Sequence, residues 1–294
     1  MIITQMNIHW IWFAVLSAVF AGVTGVIAKV GLKKIDSTLA TALRTIVILG
    51  FCWMFVCTKG VQNQIYSIDH RTWIFLALSG LATGGSWLCY FKALQMANVN
   101  KVAPIDKLLS TVMTMILALI FLGESLTRNK IISMVLITVG IIFMTVQGKS
   151  EGKKGQPGWW IYAVLSAVFA SLTAILGKIG MTNVDSDLGT FIRTIVVLAM
   201  AWLMVFVTKK GKDLKNITLY HTVFILLSGV TTGLSWICYY HALQLGEASV
   251  VVPIDKLSIV VTVLFSRLVL KERLSNKALF GLIILIAGTL LLVL

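Results

Sequence analysis

The chain is built on a repeat, and a repeat of this length leaves few folds open to it. AVLSAVFA at 14–21 returns at 163–170, DSTLATALRTIV at 36–47 returns as DSDLGTFIRTIV at 185–196, and SWLCYFKALQ at 86–95 returns as SWICYYHALQ at 235–244. PIDKL at 104–108 recurs letter for letter at 253–257, an offset of 149 residues (253 − 104) that slips by one only where FLGESL answers VLKERL. Self-similarity at one fixed period marks a single structural unit used twice. The units run over 1–147 and 158–294, joined by the polar stretch GKSEGKKGQP at 148–157.

Each unit carries five apolar runs, near 9–31, 38–57, 72–94, 102–122 and 129–147, then 159–180, 187–207, 220–243, 251–270 and 276–294. Crossing a bilayer takes about 20 helical residues, and the runs lack the alternation of strands. The chain is 58% hydrophobic and 12% charged, with a mean hydropathy of +0.94. That charged fraction is about half of what soluble domains carry. The expected fold is therefore all-α and integral to the membrane, with ten transmembrane helices. Five is odd, so two consecutive copies enter the membrane in opposite senses, as inverted-topology repeats.

The net charge of +14 does not indicate nucleic acid, because the bases fall mostly in short breaks between apolar runs, where positive charge orients a membrane protein. Thirteen Lys and Arg residues fall in one set of loops against four in the other, which places both termini outside. The expected location is the cell (inner) membrane, as a multi-pass protein. The N-terminus lacks a basic region and cleavage site, so the first run is expected to stay as a helix. Cys52, Cys57, Cys89 and Cys238 sit inside apolar runs without metal-site or disulfide spacing.

Ionisable groups inside apolar runs are the candidates for function, since such groups face a cavity, a partner or water. They are Lys29, Arg44, Asp106, Lys107, Lys178, Arg193, Asp255 and Lys256. With a fourth helix starting near Val102, Pro104 suits its first turn and Asp106 its positive end, a purely structural role that leaves Lys107 to reach the interface. Adjacent residues on a helix point about 100° apart, so Asp106 and Lys107 do not neutralise each other. The functional alternative has each aspartate orient a base on another helix, with Lys29, Arg44, Lys178 and Arg193 as candidates, while Lys107 and Lys256 reach a cavity. Six bases against two acids favour an anionic or zwitterionic solute.

Trp87 with Tyr90, and Trp236 with Tyr239, share helix faces and suit stacking on a substrate; the same faces carry Gly80-x-x-x-Gly84 and Gly229-x-x-x-Gly233, which suit helix packing. His241 stands where the first copy has Lys92, and with Asp106 and Asp255 it is a candidate proton carrier. No catalytic constellation, metal cluster or phosphate loop is present, so neither an enzyme nor a cofactor is expected. The expected partners are a small-molecule substrate and the lipid bilayer, with no nucleic acid, and the chain as a monomer or weak homodimer.

With Arg44 and Arg193 early in the second helix of each unit, Gly123-Glu124 after the fourth helix, a closely following fifth helix and the PIDKL start of the fourth, the whole chain resembles the drug/metabolite transporter superfamily, specifically its EamA-type ten-helix members, as if two five-helix proteins had been fused. The resemblance implies a central cavity lined by the first four helices of each half, with the fifth and tenth outside it. It also implies secondary active transport by alternating access, efflux included, and termini in the cytoplasm rather than outside. Lys271-Glu272 departs from the Gly-Glu pattern. A non-transport membrane module, handling lipid or acting as a scaffold around a dry ion-paired centre, is the alternative.

Overall fold

A computed structural model describes residues 9–31, 35–97, 99–145, 156–270 and 275–293. Side chains of Lys29, Val99–Lys101, Pro104, Thr145, Asn216 and Ser266–Leu270 lie outside that description, as do Lys271-Glu272 and most of the 148–157 linker. The described residues form α-helices with two short 3-10 segments, and no strand occurs among them. The first half holds α1 (His9–Gly31), α2 (Ser37–Lys59), α3 (His70–Met96), α4 (Val99–Phe121) and α5 (Arg128–Thr145). The second holds α6 (Trp159–Gly180), α7 (Ser186–Val207), α8 (Leu219–Leu245), α9 (Ala248–Lys256), α10 (Ser258–Leu270) and α11 (Asn276–Leu291).

Local chemistry sets several helix starts. Asp36 accepts from the Thr38 and Leu39 amides at 3.0 and 3.4 Å, and its repeat counterpart Asp185 accepts from Asp187 N at 2.9 Å. Asp69 and Thr218 cap α3 and α8 in the same manner. Burial pushes the Asp36 carboxyl up, but the Thr38 amide and the Lys210 ammonium outweigh it and hold it below its ordinary value. Gly60 closes α2 at a φ of 69°, in the left-handed region that glycine enters without strain.

Two expectations change. The run at 251–270, read as one helix, is two: α9 ends at Lys256 and α10 begins at Ser258, with Leu257 N bonded to Ile254 O at 2.9 Å in a tight turn. Pro253 removes one ladder donor inside α9. At Gly22, α1 lies so close that a Cβ there would sit 2.8 Å from the Ser258 carbonyl oxygen. The counterpart of Gly22 is Ser171, and the PIDKL copy on that side stays within one continuous helix, α4. The second change is that α4 starts at Val99 rather than Val102, so Pro104 lies beyond the first turn. Asp106 is then about two turns into the helix, too deep to act on its positive end.

Packing joins the halves rather than filling each separately. The most extensive helix pairings (α3 with α6, α1 with α8, α5 with α11, α4 with α6 and α2 with α7) all cross from one half to the other. Exchanging the halves maps α3–α6 onto α8–α1, α5–α11 and α2–α7 onto themselves, and α4–α6 onto the packing of α1 with α9 and α10. Close approach depends on glycine: a Cβ on Gly80 would sit 2.7 Å from Val196 Cβ, and one on Gly229 2.6 Å from Val47 Cβ, so α3 lies against α7 as α8 lies against α2. At Gly140 and Gly281, α5 and α11 touch backbone to backbone.

The repeat-equivalent helices α2 and α7 run antiparallel. Asp36 at the start of α2 pairs with Lys210 after the end of α7 at 3.3 Å, and Lys59 at the end of α2 pairs with Asp187 and Asp185 at the start of α7 at 2.5 and 3.7 Å. Hydroxyl side chains such as Ser17, Thr83 and Ser166 are buried, while Trp12, Ile120, Phe206 and Leu219 are among many large apolar residues left exposed. Polar inside and apolar outside is the distribution that lipid requires. Among the described residues seven helical stretches are long and apolar enough to cross a membrane. The chain is a multi-pass membrane protein.

Candidate functional site

Where the two halves meet, the small residues of α1, α3, α6 and α8 leave a cavity of about 270 Å³. Thr83, Ser86 and Ser235 give it hydroxyls, Trp87, Trp236 and Tyr239 give it rings, and Asp255 gives it a carboxylate. The tryptophans and Tyr239 thus line the cavity wall. Tyr90 does not line this cavity; it packs with Ala93, Ala97 and Ile105.

Both PIDKL aspartates, half-buried, are held by serine. Ser166 Oγ donates to Asp106 Oδ1 at 2.6 Å, and Ser17 Oγ donates to Asp255 Oδ1 at 2.7 Å. A second serine stands behind each of these, Ser86 at 3.3 Å from Ser166 and Ser235 at 3.3 Å from Ser17. Ser17 and Ser166 are one residue of the AVLSAVFA repeat, so the two relays are copies of one device. Among the described residues neither aspartate has a base within 4 Å. The reading that Arg44, Lys178 or Arg193 pairs with them is thereby corrected: a short serine hydroxyl reaches them first from the facing helix.

Arg193 is enclosed on the cavity's edge, with 1% of its surface exposed. Its Nη2 donates to Thr83 Oγ1 at 2.7 Å and its Nε to Ser79 Oγ at 3.4 Å, and its guanidinium lies 4.3 Å from the Tyr240 ring centre and 5.1 Å from that of Trp236. Lys178 is elsewhere. It donates to the Gly246 carbonyl and pairs with Glu124 at 3.5 Å, while Glu124 accepts from the Ala248 and Ser249 amides at 2.6 and 3.0 Å. A carboxylate from the first half thus caps α9 of the second, and Lys130 with Glu247 at 2.7 Å extends the cluster.

His241 stands apart from both aspartates. Its Nδ1 is 3.0 Å from Ser186 Oγ and its ring 4.3 Å from that of Phe13, in a neighbourhood shared with Asp187 and Lys59. Asp187, with 1% of its surface exposed, is a buried acid that the sequence reading passed over. The signal was a mismatch between copies, since Asp187 answers Thr38 as His241 answers Lys92.

Residues 8–146 and 158–294 each match the model of a family described as "EamA-like transporter family". A Sinorhizobium sp. protein named "Uncharacterized transporter in cobO 3'region" is 45% identical over 141 residues, which is 48% of this chain and 99% of that one. An Archaeoglobus fulgidus "Uncharacterized transporter" is 25% identical over 97% of this chain and 98% of its own. The Staphylococcus epidermidis "Probable glucose uptake protein GlcU" is 22% identical over 69% of this chain and 71% of its own. A solved structure superposes with a TM-score of 0.75 at 14% identity, over 97% of this chain and 98% of the other, a likeness of fold.

Proposed function

The chain belongs to the EamA-like transporter family, and we propose that it carries a small polar or amphipathic solute, anionic or zwitterionic, across the cell (inner) membrane by alternating access. The central cavity supports this reading: it lies between the halves, takes equivalent residues from both, and is lined by rings, hydroxyls and one carboxylate, with Arg193 against two of its lining residues, Thr83 and Trp236. Rings hold an apolar body, while guanidinium and ammonium groups hold a carboxylate by charge-assisted hydrogen bonds.

In this reading the ten apolar runs are ten spans, with α9 and α10 sharing one, and the halves are inverted. The antiparallel course of α2 beside α7 supports inversion, because the two helices are copies of each other. Transport is secondary and outward. Asp106, Asp255 and His241 are the carriers if a proton is the coupling ion, since each is a titratable group inside a spanning helix.

The test uses proteoliposomes and a chain whose four cysteines are replaced, with one cysteine returned at Ala170 on the cavity wall. Membrane-impermeant thiol reagents should reach that cysteine from either face, and a saturating solute should protect it. Labelling from neither face would favour the dry scaffold reading. Counterflow of amino acids, dicarboxylates and glucose then sorts the substrate by charge, and transport of glucose alone would sink the charged-solute reading.

A further inference from the structure

A second cavity, of about 230 Å³, opens at the start of α2 and shares no lining residue with the central one. Among the described residues Ser37, Thr41 and Arg44 are its polar walls, and Ala28, Ile35 and Ala40 its apolar ones. At about 30 Å³ per water it has room for a small oxyanion and several waters.

Arg44 is the group in this cavity that lacks a counterpart. Its Nε is fully buried with no hydrogen-bond partner, and among the described residues no acid lies within 4 Å of it. A guanidinium inside a membrane-spanning helix is costly unless something pairs with it. Its counterpart Arg193 has two hydroxyls and two aromatic rings around it. The equivalent residues do not serve Arg44. Ser228 and Thr232 donate along their own helix, to the Ile225 and Ser228 carbonyls at 3.0 and 2.7 Å, and Phe91 stands where Arg193 has Tyr240.

Among the described residues the other polar walls of this pocket are neutral hydroxyls. Ser37 and Thr41 lie one helical turn apart, and Arg44 follows Thr41 by three residues, so the three share a face. Neither hydroxyl has a hydrogen bond to another described residue. The start of α2 borders the same space, with its Thr38 and Leu39 amides bonded to Asp36. Asp36, the nearest acid in the chain, is occupied by the Thr38 and Leu39 amides and by Lys210. A fork of guanidinium donors with two hydroxyls beside it matches a carboxylate or phosphate group.

We propose that this pocket is an oxyanion site, distinct from the central cavity, which holds the carboxylate or phosphate of a small solute before it reaches the cavity or after it leaves. The proposal rests on the transport reading only for that last role. Binding itself stands or falls alone. A phospholipid headgroup offers the same chemistry, and the experiment separates the two sources.

Phenylglyoxal modifies accessible guanidinium groups, and peptide mass spectrometry reads each arginine separately. The full chain is purified in nonionic detergent and labelled with and without inorganic phosphate at constant ionic strength. Arg44 should be labelled and then protected in a saturable manner; Arg193 should stay unlabelled, and the exposed Arg71 and Arg128 should be labelled without protection. Thr41→Val, checked for an unchanged melting temperature, should weaken phosphate protection about fivefold, the worth of one hydrogen bond. In nanodiscs of phosphatidylcholine, protection by phosphate marks a soluble ligand, whereas protection on adding phosphatidic acid alone assigns the site to a headgroup. An Arg44 that resists labelling, or is labelled equally with and without each anion, overturns the proposal. Solute flux through such a protein would leave the transport reading intact, so the two fail separately.

Discussion

Arg44 and Arg193 are the same residue of one unit written twice, and the protein treats them differently. Arg193 is clasped by Ser79, Thr83, Tyr240 and Trp236; Arg44 faces an open pocket and is bonded to nothing described. The helices around them correspond, down to the glycines that admit Val196 on one side and Val47 on the other. The asymmetry therefore lies in side chains such as Phe91 against Tyr240 and Thr38 against Asp187, laid over a symmetric frame. A symmetric frame is what two copies of one unit supply at little cost, and local substitutions then give each end its own chemistry.

The sharpest way to break this contrast is to remove each guanidinium. Arg193→Gln should cost about 2–4 kcal/mol, from charge-assisted hydrogen bonds and desolvated cation–π contact, whereas Arg44→Gln should fall within about 1 kcal/mol of wild type because no partner is lost. Unfolding in detergent measures both, and equal losses would refute the contrast. Gly80→Ala and Gly229→Ala test the frame itself. Each should cost about 1–3 kcal/mol by overpacking. Gly80→Ala should cost more, because its Cβ also lands 2.9 Å from the Arg193 carbonyl oxygen against 3.2 Å from that of Arg44 for Gly229.

Asp187→Asn should cost about 1–2 kcal/mol, less than a fully buried ion pair, since the partly exposed Lys59 can turn to water. The smallest effect is at the α2 cap, where Asp36→Asn should cost about 0.5–1 kcal/mol. The folded Asp36 carboxyl lies below its ordinary 3.8, so its contribution is present above that value and is lost as pH falls through the lower folded one. The acid limb of a stability–pH profile should flatten slightly in the variant and not otherwise.

Much of the frame was legible because it rests on period and length. The repeat, the helical runs and the small-residue faces of Gly80 and Gly229 all follow from spacing alone. The break at Leu257 was not legible, since PIDKL is identical in both copies and α1, pressed close through Gly22, decides the outcome from outside. The partners of Asp106 and Asp255 were half legible. Sequence showed that they must come from another helix, and charge alone favours lysine and arginine, whereas the repeated serine of AVLSAVFA holds each carboxylate. Asp187 was not legible from the repeat, because it stands at a position where the copies differ, opposite Thr38.

The interleaved packing has a consequence for how the molecule is made. Because its most extensive helix contacts all cross between halves, the first five helices leave the ribosome with few of their final neighbours yet synthesised. Their native order waits on contacts distant in sequence, which are slow to form. The linker shortens that wait by turning an encounter between two molecules into an intramolecular one at high effective concentration. Severed within 148–157 and expressed as separate pieces, the halves should be degraded singly and should accumulate when produced together.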